Sequence, residues 1–379
     1  MTNSDLEFQA FCLTDTGSRL DQFAAAIAAR IRPGDTVVDL GAGTGILSFL
    51  ACRAGARRVY AIEGGESLEF ARLLAAQNGF ADRVEFINKP STHVVMPERV
   101  NAIVGDIHDT FGLQASGLTA MMDARDRLLA PGGVLIPRSI QLMVAPVEAP
   151  EIYQKRIDVW NTRVHGIDVS PLRALAVNQP GPARVERSQL LTEPTAFATI
   201  ELMHVSDPHV GGAVSCEVTR DGTMHGICGC FVTTLADGIR MGNVPGDSGT
   251  TNFAHAYFPI ESPVRVRAAD RIAIRLDNHD GIAVRWQVDV RRGAESIARF
   301  DHSTLQAMGL SIETLRKQSD DYRPLLTPLG ALERDLLDRF DGTRSAAELE
   351  SWLASRSRSA LPSSREAAAF LKQTIERCG

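Results

Sequence analysis

The stretch "TVVDLGAGTGILS", Thr36 to Ser48, constrains this chain more than any other. A short apolar, β-branched run reads as a buried strand. Three glycines at alternate positions, Gly41, Gly43 and Gly45, then release the backbone into a tight turn before a helical segment. Such a turn lays bare backbone against a ligand and aims the next helix's N-terminus at it. Glu63 closes the second strand about twenty residues later, where a carboxylate can accept hydrogen bonds from both hydroxyls of a ribose. The glycines read G-x-G-x-G, and Ile46 takes the sixth position, which a dinucleotide fingerprint reserves for glycine. No lysine follows them, as a phosphate-gripping loop would require. The turn therefore favours S-adenosylmethionine over NAD or a nucleoside triphosphate.

Around this turn, "TVVDL" (36–40), "RVYAIE" (58–63), "RVEFIN" (83–88), "NAIVGD" (101–106) and "GGVLIP" (132–137) alternate with Ala- and Leu-rich segments of helical length. That alternation predicts an α/β, Rossmann-like core with a parallel sheet, over residues 1–145. After Pro137 the segments "FATIELMHV", "AVSCEVT", "GICGCFVTTL", "VRVRAADRIAIRLD" and "IAVRWQVDVRR" follow one another through Gly, Asp and Asn turns. They predict a β-barrel or sandwich over 146–315. Beyond the Pro-containing "KQSDDYRPLLTP", amphipathic helical stretches predict a small, mainly helical domain over 325–379.

Composition limits the function classes. With 44% apolar and 23% charged residues, the chain has the balance of a soluble globular protein. No apolar run reaches membrane-spanning length and "MTNSDLEFQA" lacks signal-peptide regions, so a cytoplasmic location is expected. A net charge of -6 argues against nucleic acid as a partner. The six cysteines are scattered and read as reduced thiols. Cys216, His225, Cys228 and Cys230 offer metal-ligand chemistry, but alternating cysteines in a strand read as core packing, and no metal is expected. His204 and His209 flank a turn and read as surface residues.

"VVDLGAGTGILSFLACRAGARRVYAIEG" resembles the first two motifs of the protein arginine methyltransferases. "LTDTGSRLDQFAAAI" is similar to that family's helix over the cofactor, and "LLAPGGVLIP" to the strand leading into its barrel. The resemblance covers roughly residues 10 to 295. It implies that Arg19 reaches the methionine carboxylate and that Asp39, Gly41, Ala42, Gly43 and Thr44 line the methionine end. Glu63 and Gly64 would meet the ribose, and Ser91 and Thr92 the adenine. It also implies a homodimer joined through an arm, here "EIYQKRIDVWNTRVHGIDVSPL", with Tyr153, Trp160 and Ile167 available for burial.

The chain departs from the family in the substrate loop, "VGDIHDTFGLQASGL". Two glutamates clamp the guanidinium in the family; aligned without gaps, the first is Asp106 and the second Ala115. Its Thr-His-Trp segment falls on Thr251 to Phe253, with Asn252 at the histidine position. One short carboxylate restrains a cation less than two do. The loop instead supplies Asp106 to hold or orient an acceptor, His108 as a base, and Asp109 beside them. The tail, "LTPLGALERDLLDRFDGTRSAAELESWLASR", resembles PqqD-like winged-helix modules, which implies a leader peptide as partner, added as a strand beside a short sheet.

Together these readings predict a methyltransferase that uses S-adenosylmethionine, releases S-adenosylhomocysteine, and methylates a nitrogen or oxygen of a peptide or peptide-derived small molecule. The alternatives are a protein arginine N-methyltransferase with a degenerate double-glutamate loop and a non-catalytic S-adenosylmethionine-binding scaffold that recruits a peptide.

Overall fold

The run Thr36–Leu40 forms β1, buried at all five positions as its apolar composition requires. In the computed structural model, which describes residues 10, 13–14, 19–65, 67–113, 116–247, 251–279, 283–309, 312–317, 319–356, 361 and 363–378, β1 is the middle of a five-stranded sheet. With β2 (Arg58–Glu63), β3 (Val84–Asn88), β4 (Val100–Gly105) and β5 (Leu129–Ile136), the order is β3-β2-β1-β4-β5, and every pairing is parallel. The order reverses between β1 and β4, which opens a crevice at their carboxyl ends. Helices α1 (Asp21–Arg30), α2 (Ile46–Arg53), α3 (Leu68–Asn78) and α4 (Gly117–Leu128) accompany the sheet. Each presents an apolar stripe to it; in α3 the stripe is Leu68, Ala71 and Ala75, and Gly79 ends the helix at φ +74°.

The chain then runs into β6 (Ser139–Val147), α5 (Pro150–Arg156), a hairpin of β7 (Arg163–Val164) and β8 (Ile167–Asp168), and α6 (Arg173–Ala176). His165 and Gly166 turn that hairpin with φ of 50° and 84°, the positive pair that two-residue hairpins favour. There follow β9 (Gly181–Ala183), β10 (Thr195–Glu201), β11 (His209–Glu217), β12 (Gly222–Ala236), β13 (Ile239–Gly242), β14 (His255–Val266), β15 (Arg271–His279), β16 (Ala283–Arg292) and β17 (Glu295–Ser303). One sheet has the order β10-β6-β12-β14-β9, with β13 on β12; the other is β11-β15-β16-β17. Ile227, Phe258 and Ile260 of the first face Ile274, Leu276 and Trp286 of the second in one core. The Trp286 indole N–H donates to the Pro259 carbonyl at 2.9 Å, so the largest buried ring leaves no orphaned donor.

The sheet domains share a wall. Leu235, Ala236 and Met241 of β12 and β13 belong to the same core as Phe23 and Ile27 of α1 and Val37 of β1. Residues Met1–Met308 accordingly form one compact unit and Gly309–Gly379 a second.

The second unit contains α7 (Ile312–Lys317), α8 (Pro328–Leu337), α9 (Ala346–Arg356) and α10 (Ser364–Cys378). Side chains written into the sequence start the last three: the Thr327 hydroxyl accepts from the Gly330 amide, and Ser345 with Glu348 and Ser363 with Glu366 form reciprocal caps. Leu336, Leu349, Leu353, Ala367 and Leu371 form its core, and Trp352 lies under the Arg339 guanidinium at 4.1 Å. Among the described residues this unit has helices and no strand, so the short sheet that peptide addition would need is not seen there.

The arm also differs from expectation. Tyr153 is 1% exposed and donates its hydroxyl to the Glu261 carbonyl at 2.8 Å, so it is spent inside the chain. Ile167 and Val164 on the hairpin are the exposed apolar residues, at 68% and 50%. No helix among the described residues is long and apolar enough to cross a membrane.

Candidate active site

Gly41, Gly43 and Gly45 take φ of 72°, 53° and 80°, which an L side chain would resist. A Cβ on Gly41 would meet no atom within 4 Å, because the space above it is a cleft of about 1130 Å³. Glu63, at the end of β2, reaches across: its carboxylate accepts from the Gly43 amide at 3.0 Å and the Gly65 amide at 2.8 Å. One of these bonds ties the glycine loop to the end of β2, and Glu63 also lines the cleft.

Behind the loop lies Asp39, 1% exposed. It accepts the Ser48 hydroxyl at 2.6 Å on one oxygen, while the other has no hydrogen-bond partner. Burial pushes its carboxyl from 3.8 to about 6, against the Ser48 hydrogen bonds and with help from the charges of Glu63 and Asp106. Asp39 braces the loop and α2 from below and is not on the cleft wall; Gly41, Ala42, Gly43, Thr44, Glu63 and Gly64 are. Ser91 lines the cleft, whereas Thr92 beside it is exposed and does not.

Opposite the loop, Asp106 follows β4 directly. Its carboxylate pairs with the guanidinium of Arg19, itself 5% exposed and 5.9 Å from the Phe253 ring. The other oxygen meets His108 Nδ1 at 2.8 Å, and His108 Nε2 meets the Thr233 hydroxyl at 2.8 Å. Burial works to raise the Asp106 carboxyl, but the hydrogen bond and charge of His108 and the charge of Arg19 outweigh it and hold it below the ordinary carboxylate value. An ionised carboxylate can only accept, so Nδ1 carries the proton.

His108 is therefore not the free base that the loop sequence suggests. Its side chain has no exposed surface, and both ring nitrogens are engaged by protein groups. Asp109 is exposed at the cleft mouth and accepts the Thr110 amide at 2.5 Å. Asn252 and Phe253 line the cleft, and Arg184 donates to the Asn252 carbonyl at 2.7 Å. Ala115 lies outside the described residues. The sequence gives no signal for Thr233 or Arg184 because both approach from strands or loops far away in the chain.

The remaining candidates are elsewhere. Cys216 and Cys228 are buried in apolar cores, Cys230 is buried, and His225 packs edge-on against Tyr153 at 5.7 Å. Among the described residues no three His, Cys, Asp or Glu side chains are placed to hold a metal ion. His209 stacks on His279 at 4.3 Å, and His204 lines a separate, smaller cleft.

A parallel sheet of this order, a glycine turn answered by Glu63, and a barrel walling the cleft define a class I methyltransferase fold of the arginine-methyltransferase type. Residues 138–290 match the family described as "Arginine methyltransferase oligomerization subdomain", and residues 20–140 match "Ribosomal protein L11 methyltransferase (PrmA)". By these matches the chain is similar to the protein arginine methyltransferases and shares their class I methyltransferase architecture. It is 32% identical to protein arginine N-methyltransferase 6 of Xenopus laevis over 53% of this chain and 62% of that protein. It is 29% identical to the arginine N(omega)-methyltransferase of Streptomyces achromogenes subsp. streptozoticus, over 70% of this chain and 74% of that protein. The chain spans between 51% and 62% of the length of the first three curated relatives it matches. Among solved structures, the Trypanosoma brucei PRMT1 enzyme–prozyme heterotetrameric complex with AdoHcy superposes with a TM-score of 0.71 at 25% identity, covering 78% of this chain and 96% of that one. Protein arginine methyltransferase 10 of Arabidopsis thaliana, at 21% identity and a TM-score of 0.68, shares the fold, covering 79% of this chain and 98% of its own.

Proposed function

We propose that this chain transfers a methyl group from S-adenosylmethionine to a nitrogen or oxygen of a peptide or peptide-derived acceptor. The observation that carries the reading is the juxtaposition, across one cleft, of the glycine loop held by Glu63 and an ionised Asp106. S-adenosylmethionine would supply an activated sulfonium methyl. Gly41 to Thr44 offer backbone to its methionine end, Arg19 its guanidinium to the carboxylate, Glu63 its open acceptor sites to the ribose, and Ser91 the adenine end. Asp106 accepts a hydrogen bond from the acceptor's N–H or O–H and so turns the lone pair toward the methyl carbon. The new bond forms as the carbon–sulfur bond breaks, its electron pair passes to sulfur, and the acceptor's proton leaves along the hydrogen bond to Asp106.

A second reading, arginine as acceptor, is favoured by Asp106 at the position of the family's first glutamate and by the relatives named for arginine methylation. Calorimetry with S-adenosylhomocysteine tests the cofactor: micromolar binding is expected, and binding of NAD in its place overturns the reading. Transfer of label from methyl-labelled S-adenosylmethionine to arginine, arginine-rich peptides and peptides without arginine then decides between the acceptors.

A further inference from the structure

The cleft wall carries three cations, Arg19, Lys89 and Arg184, and three carboxylates, Glu63, Asp106 and Asp109, among the described residues. Each carboxylate is already engaged. Glu63 holds the Gly43 amide of the loop and the Gly65 amide just beyond its own strand, and Asp109 accepts an amide in an exposed position where water and salt screen its charge. Asp106 is the buried one, and it is met by Arg19 on one oxygen and by His108 on the other. The His108 ring is fixed on every side: Thr233 holds its far nitrogen at 2.8 Å, Phe231 stacks on it at 5.4 Å and Phe23 meets it edge-on at 6.3 Å. A guanidinium arriving here would add another cation to a wall that already carries Arg19, Lys89 and Arg184 beside His108. It would also find both oxygens of Asp106 already met by internal donors, Arg19 and His108, so desolvating the cation would be poorly compensated. A neutral N–H or O–H needs only one remaining lone pair of Asp106 and brings no charge.

We infer that His108, held by Thr233, is a specificity-determining positioning residue: it satisfies Asp106 from inside the protein and so directs the cleft to an uncharged acceptor, an amide, hydroxyl or neutral imidazole, and away from guanidinium. This rests on the methyltransferase reading above. It accounts for a loop that lacks the family's second carboxylate, since with His108 in place a second carboxylate would be needed to hold a cation.

The test is calorimetric titration of agmatine, a guanidinium probe, into the full-length chain saturated with S-adenosylhomocysteine. His108→Leu frees one oxygen of Asp106, and a charge-assisted hydrogen bond gained there gives at least a tenfold tighter affinity than wild type. Adding Asp106→Asn removes that gain, and His108→Asn, which restores an N–H toward Asp106, returns the affinity to the wild-type value. If thermal melting shows that the leucine variant does not fold, Thr233→Val, which unpins the ring, serves instead: tighter agmatine binding than wild type supports the inference, and unchanged binding overturns it. Equal affinity in wild type and His108→Leu, or a gain that survives Asp106→Asn, also overturns it. Failure of wild type to bind S-adenosylhomocysteine at all would overturn the methyltransferase reading instead, so the two can be told apart.

Discussion

Asp39→Asn should stabilise this protein at alkaline pH and progressively less as the pH falls. Asp39 is 1% exposed, one of its oxygens lacks a partner, and burial lifts its carboxyl from 3.8 to about 6. A carboxyl with a raised folded value binds its proton more tightly in the native state than in the unfolded one. Its contribution to stability is therefore full below about pH 4, is lost as the pH rises through about 6, and stays lost above. At about 1.4 kcal/mol per unit of pKa, the ionised form costs about 3 kcal/mol at pH 8 relative to a neutral side chain. Asparagine is that neutral side chain: its carbonyl can keep the Ser48 hydroxyl, at 2.6 Å in wild type, and its amide takes the place of an oxygen that already lacks a partner. The variant should gain about 3 kcal/mol at pH 8 and about half of that at pH 5. At on the order of 2 °C per kcal/mol for a unit of this size, that is about 6 °C and about 3 °C in melting midpoint. Differential scanning calorimetry of the apo protein at both pH values reads it. A loss of stability at both, or a gain independent of pH, refutes the assignment of the penalty to a buried charge.

Glu63→Ala should weaken S-adenosylhomocysteine binding by about 1 to 3 kcal/mol in calorimetry, since it removes the brace on the Gly43 amide and the carboxylate proposed to accept from the ribose. Gly112→Ala should cost about 2 kcal/mol or more by denaturant titration, because φ is 81° and a Cβ there would lie 2.7 Å from Leu142 and 2.9 Å from Phe231. A chain ending at Met308 should melt as the first unit does in the full chain and keep its affinity for S-adenosylhomocysteine, because each unit has its own core; loss of either shows that the second unit is required. If the exposed hairpin makes the homodimer contact expected of the arm, Ile167→Asp should shift sedimentation from dimer to monomer without altering cofactor binding.

The sequence by itself determined whatever depends on neighbours along the chain. The run 36–40, the glycines after it and Glu63 at the end of the next strand form β1, a positive-φ turn and the end of β2, because an apolar β-branched run and a glycine's tolerance of positive φ are local properties. The helices of the second unit were legible as amphipathic stretches, while their starting caps, Ser345 with Glu348 and Ser363 with Glu366, are seen in the structure. Tertiary structure alone decided what these parts do. It put Asp39 behind the loop and not on the cleft, turned Tyr153 inward to Glu261, and brought Thr233 across 125 residues to His108. That last contact changes a loop histidine that reads as a free base into the internal partner of Asp106. No pattern of spacing reports it, because a side chain's protonation and availability depend on which groups share its burial, and those are chosen by the packing of distant segments.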